Sequence, residues 1–136
     1  MRKIDEIIVH CSATPRGRRV TAAEIDRWHR ERGFKKIGYH YVIGIDGEIE
    51  RGREEAEEGA HCLGHNARSI GICYVGGLSS DGKVALDTRT DAQRVAMTEL
   101  IMELKERYRG ARVYGHRDFA KKECPCFDAR KEFDNG

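Results

Sequence analysis

The chain has 136 residues, 35% of them charged, with 25 Lys and Arg set against 23 Asp and Glu. That length suits one domain spanning residues 1–136 and is too short for two. A formal net charge of +2 does not predict a nucleic-acid binder or stable docking on an anionic membrane, and no apolar run approaches the roughly 20 residues that span a bilayer.

The first residues, Met1 to Glu6, carry two positive charges and turn acidic before any apolar stretch develops. This is no secretory signal, so cytoplasmic synthesis is expected. Ile4 to Val9 then reads as a strand ending at His10. Cys11 to Gly17 is a turn-rich loop, and Thr21-Ala22-Ala23-Glu24 has capping-box spacing, so a helix is expected to start there. Ala22, Ile25 and Trp28 share its apolar face, and Gly33 ends it. Tyr39 to Ile45 alternates and meets Glu48-Ile49-Glu50 across Asp46-Gly47, a hairpin signal.

Residues 51–68 read as a long polar loop with one helical turn. Ser69 to Val75 is a buried central strand, and Gly76 to Asp87 is a turn-rich excursion. Gly77 to Lys83 imitates a phosphate-binding loop, but Val84 stands where a Ser or Thr must hold magnesium and no capped helix follows, so Asp81-Gly82 is a turn. Thr90 to Gln93 is a second capping box, opening a helix whose Met97, Leu100, Ile101, Leu104 and Tyr108 recur at helical spacing. Ala111 to Tyr114 is a last strand, delivering His116. Strands alternating with two good helices indicate an α/β fold, a central mixed β-sheet flanked by helices.

The cysteines number five, an odd count that suits free thiols better than a disulfide framework. Packing as small hydrophobes explains Cys62 and Cys73; it explains Cys124-Pro125-Cys126 poorly. His10 ends a strand, His116 follows another, and Cys124 lies in the loop after that. Two imidazoles and a thiolate give three zinc ligands and leave a fourth position for water, the mark of a catalytic site. A structural zinc prefers four protein ligands in spacings such as Cys-x2-Cys, and Cys-Pro-Cys is one residue tighter. His29 and His40 read as hydrogen-bonded structural or surface histidines rather than ligands. His61 and His65, in the long loop, are candidates to line a cleft.

Val9-His10-Cys11-Ser12-Ala13-Thr14 resembles the opening of N-acetylmuramoyl-L-alanine amidases of the bacteriophage-lysozyme type, relatives of the peptidoglycan recognition proteins. The resemblance continues through Gly38-Tyr39-His40-Tyr41, Ser69 to Cys73 with Gly76-Gly77, Gly115-His116-Arg117-Asp118 and Lys122-Glu123-Cys124-Pro125, in the family's order. It implies the fold of those proteins, with one Zn2+ per chain on His10, His116 and Cys124. Tyr39 is then expected beside the metal, Lys122 as a charged catalytic helper, and His61 as a substrate contact. Cys126 departs from the family, which usually has Gly or Ser there.

The implied reaction is hydrolysis of the amide between the lactyl group of N-acetylmuramic acid and L-alanine in peptidoglycan. Without a signal peptide the enzyme is expected to act on the wall after release or export, as in phage or prophage lysis. Some relatives bind peptidoglycan without cutting it, usually having lost the cysteine ligand; Cys124 favours the enzyme. Some phage amidases of this type also restrain an RNA polymerase, and nothing in this sequence identifies such a surface.

The residues suit the chemistry. Zinc lowers the pKa of a water ligand to about 7. In an extended loop, Lys122 would point to the same side as Cys124, two residues on, where its ammonium can stabilise an oxyanion. Tyr39 can orient the water or hydrogen-bond the tetrahedral intermediate. Pro125 disfavours helix at Cys124, so an extended segment would send the Cys124 and Cys126 side chains to opposite sides.

Overall fold

A computed structural model describes residues 2–134. Its frame is a five-stranded mixed sheet in the order β4-β3-β5-β1-β7. β1 (Glu6–Cys11) lies between β5 (Ser69–Tyr74) and β7 (Arg112–Gly115), parallel to both. β3 (Tyr41–Ile43) pairs parallel with β5 and antiparallel with β4 (Ile49–Arg51). β1 and β5 are buried along their whole length, as expected for parallel strands covered on both faces.

Period-two alternation divides the side chains between two cores. Ile7, Val9, Ile70, Ile72, Tyr74, Tyr41 and Ile43 pack with Met97, Leu100, Ile101 and Leu104 of α2 (Asp91–Arg107). Val42, Cys73 and Val75 face the other way, toward Ala22 and Ile25 of α1 (Ala22–Glu31). Both expected capping boxes form: Thr21 with Glu24, and Thr90 with Gln93. Gly33, at φ +97°, follows α1 in the left-handed conformation that Gly adopts without penalty.

Several elements differ from expectation. β1 begins at Glu6 and runs through His10 to Cys11. The Asp46-Gly47 turn closes a longer loop, since the last β3–β4 pair is Ile43 with Ile49. There Gly44 N–H donates to Glu48 O, and the Asp46 carboxylate accepts from Glu48 N–H. Within the turn-rich segments, β2 (Thr14–Pro15) and β6 (Gly77–Leu78) form a second, two-stranded sheet. α3 (Ala129–Asp134) lies beyond the elements that the sequence pattern marks. Arg89, with 1% of its side chain exposed, pairs with Asp87 and with Glu132 of α3 while lying over Phe127, which ties the C-terminal segment to the body. Among the described residues, no helix is long and apolar enough to cross a membrane.

The 52–68 loop contains one 3-10 turn, Asn66–Arg68, and is held by side chains donating to or accepting from its backbone. Arg2 donates to Asn66 O and Ser69 O, Arg53 to Ile37 O and Glu58 O, and Asn66 Oδ1 accepts from His61 N–H and Cys62 N–H. These contacts fix His61 over Gly71.

A Cβ added to Gly71 would lie 2.7 Å from the His61 ring, inside van der Waals contact. Gly71→Ala is therefore expected to lower stability by about 1–3 kcal/mol, the usual range for overpacking. Thermal unfolding checks this. Adding His61→Ala is expected to restore much of the loss, and two purely additive losses would show that the ring does not fill this gap.

Candidate metal centre and cleft

Because β1, β5 and β7 run parallel, their carboxyl ends share one edge of the sheet, where open α/β sheets bind ligands. His10, 1% exposed, is the fifth residue of β1, on the α1 face. β7 ends at Gly115, and His116 opens the 3-10 turn His116–Asp118, which Asp118 caps by accepting from Gly115 N–H at 2.8 Å. The loop carrying Cys124 is pinned to this turn and to β5: Arg117 N–H donates to Cys124 O and Tyr74 Oη–H to Pro125 O. One donor atom from each of His10, His116 and Cys124 comes within 4.8 Å of the others. Tetrahedral zinc needs such donors about 3.4–3.6 Å apart, so a modest contraction suits these soft and borderline ligands to the ion.

His116 and Cys124 open onto a cleft of about 710 Å³, which Tyr39, His61 and Lys122 also line, and buried His10 packs against Tyr39 and His116 of that lining. The Tyr39 ring is 5.0 Å from His10 and 5.3 Å from His29, and this burial drives the phenol well above its ordinary pKa. It stays protonated at neutral pH, so its O–H is available to donate. His61 is half-buried, with Nδ1 2.8 Å from His10 Nε2 and Nε2 3.2 Å from Ser69 Oγ. It therefore touches a candidate ligand as well as the cleft. His65 turns away, bonding Glu6 and stacking on Phe119 at 3.8 Å.

Lys122 reaches the cleft by a different route from the one expected. The segment is not extended: Lys122 N–H donates to Ala120 O, and Cys126 N–H closes a turn onto Glu123 O. The Cys124–Pro125 peptide is cis, and Cys126 takes φ +72°. The two thiols nonetheless diverge. Cys124 Sγ accepts from Cys11 N–H at 3.2 Å, while Cys126 Sγ faces Cys11 Sγ and Gly77 O. Burial and neighbouring thiols push Cys126 up to about 12, and Cys11 higher still.

His29 and His40 are structural, as expected: Gly38 N–H donates to His29 Nδ1 and Gly71 N–H to His40 Nδ1, and His40 Nε2 lies 2.8 Å from Glu57 O. His40 lies outside β3 and turns toward the backbone of Gly71. Arg32, Phe34 and Phe119 also line the cleft. Arg32 and Phe34 follow a helix end and Phe119 a 3-10 turn, and no spacing in the sequence marks them.

Burial holds His29 and His40 below the ordinary value of 6.5 and lowers His61 to about 3. Between the folded and unfolded values the unfolded chain binds more protons, so this contribution is intact above about pH 6.5 and is lost as pH falls. The unfolding temperature of metal-free protein is expected to be level near pH 7–8 and to drop progressively below pH 6.5, His61 extending the fall toward pH 3. A midpoint unchanged between pH 7 and pH 5 would contradict the buried, neutral state of these rings.

Residues 1–127 match the family described as N-acetylmuramoyl-L-alanine amidase. The chain is 42% identical over 127 residues to the endolysin of Escherichia phage T7, covering 93% of this chain and 83% of that protein. It is 41% identical over 130 residues to the endolysin of Klebsiella phage KP32, covering 96% and 85% respectively. Among solved structures, the N-acetylmuramoyl-L-alanine amidase LysC from Clostridium intestinale URNW superposes with a TM-score of 0.82 at 30% identity, covering 96% of this chain and 82% of that one. Drosophila PGRP-LB superposes with a TM-score of 0.81 at 26% identity, covering 99% and 82%.

Proposed function

The chain belongs to the N-acetylmuramoyl-L-alanine amidase family and is an amidase of the phage-endolysin kind, and we propose that it works with one zinc ion held by His10, His116 and Cys124. The observation that carries this reading is the convergence of their donor atoms within 4.8 Å, beside a cleft that His116 and Cys124 line. The substrate is the lactyl–L-alanine amide of peptidoglycan. Zinc held there supplies an acidified water and polarises the scissile carbonyl.

The remaining work falls to the chain's own groups. Cys11 N–H steadies the Cys124 thiolate, and His61 orients His10 and walls the cleft. Tyr39, kept protonated, donates to the oxygen that gains charge or orients the attacking water. Lys122 brings its ammonium to the same side; burial first, with this charge adding to it, holds His10 and His116 below the ordinary histidine pKa, which favours the neutral imidazoles a metal requires. Proton movement falls to Tyr39, Lys122 and solvent; among the described residues, no carboxylate lines the cleft. The complete ligand set favours catalysis over peptidoglycan binding alone.

The test is metal content of the purified chain, measured with release of L-alanine amino termini from peptidoglycan. About one zinc per chain is expected, with activity lost to a chelator and restored by zinc. Full activity in chelator with no zinc uptake would remove the metal from the mechanism, and a fourth protein ligand at Cys126 would make the zinc structural.

A further inference from the structure

We propose that Cys11 and Cys126 are a disulfide-forming pair that links the end of β1 to the turn carrying Cys124 when the protein meets a disulfide oxidant. Their Sγ atoms are 4.0 Å apart, and a disulfide needs about 2.05 Å, a closure of about 2 Å. Gly77 keeps one flank of the pair open, since a Cβ there would lie 2.5 Å from Cys11 Sγ. Cys126 is partly exposed and Cys11 buried, so the oxidant reaches Cys126 first.

The exchange balances without any other reactant. The Cys126 sulfur attacks one sulfur of the oxidant, forming a mixed disulfide and releasing one thiol. The Cys11 sulfur then attacks Cys126 Sγ and expels the second thiol. Two protons leave the cysteines and the oxidant gains two electrons. The attacking species in each step is a thiolate, so the exchange runs faster at mildly alkaline pH.

Cys124 is the competing partner, because its sulfur also neighbours Cys11. The choice of pair rests on the zinc reading to that extent: a thiolate committed to the metal leaves Cys11 and Cys126 as the reactive couple. The link joins residues 115 apart in sequence, a long closed loop of the kind that constrains the unfolded chain most. It also ties the segment bearing His10 to the segment bearing Cys124, so the oxidised form should release zinc more slowly.

The test incubates the full chain, with its zinc content measured, with glutathione disulfide at mildly alkaline pH. Remaining thiols are then alkylated and the protein is mapped by mass spectrometry. The five free cysteines should fall to three, with one peptide pair joined through Cys11 and Cys126 and an unfolding midpoint higher by on the order of 10 °C. Cys126→Ser should show neither the joined pair nor the rise. Five alkylated cysteines, glutathione retained on Cys126, or a link through Cys124 in zinc-loaded protein would each overturn the proposal. A Cys11–Cys126 link in protein that binds no zinc would uphold the pair and refute the metal reading alone.

Discussion

Replacing Cys124 with serine is expected to abolish tight zinc binding and amide hydrolysis together, whereas Cys126→Ser retains both. A hydroxyl stays protonated at neutral pH and is a far poorer zinc ligand than a thiolate. Changes one shell out from a metal typically cost about 10- to 100-fold in affinity, so loss of a ligand costs more. Cys124 Sγ belongs to the three-atom cluster and accepts Cys11 N–H; Cys126 Sγ points to Gly77 O and lies outside that cluster. Zinc stoichiometry and wall hydrolysis, measured for the two reduced variants side by side, decide the matter. Loss of metal in Cys126→Ser with retention in Cys124→Ser would mean the wrong sulfur has been assigned.

Lys122→Ala should keep zinc at the wild-type stoichiometry and lower turnover by about 100- to 1000-fold, the usual effect of removing one donor to a developing oxyanion. Lys122 lines the cleft with Tyr39, His116 and Cys124, and its side chain is exposed, so the folded state depends little on it. The loss should fall on kcat rather than on KM, because the charge it meets forms in the transition state. Unchanged turnover would reduce Lys122 to a surface cation. Loss of zinc instead would mean that its role is to keep His10 and His116 neutral.

What sequence alone determined about this protein is what depends on local pattern. Two capping boxes set the helix starts at Thr21 and Thr90, and apolar runs marked β1 and β5. His10 and His116 at strand ends, with Cys124 beyond, supplied a chemically coherent ligand set. The tertiary structure decided whatever depends on contacts between residues far apart in the chain. Parallel pairing of β1 with β5 and β7 brings His10 and His116 to one edge, although 106 residues separate them. Alternation could not place Lys122, Cys124 and Cys126, because residues 120–126 turn rather than extend, and that turn is held by Arg117 N–H and Tyr74 Oη–H from other elements. The contact between His61 and His10 depends on Gly71 leaving room for the ring. The two short strands β2 and β6 exist only through each other. Each is a pairing, and a pairing is a property of two segments that neither one carries in its own sequence.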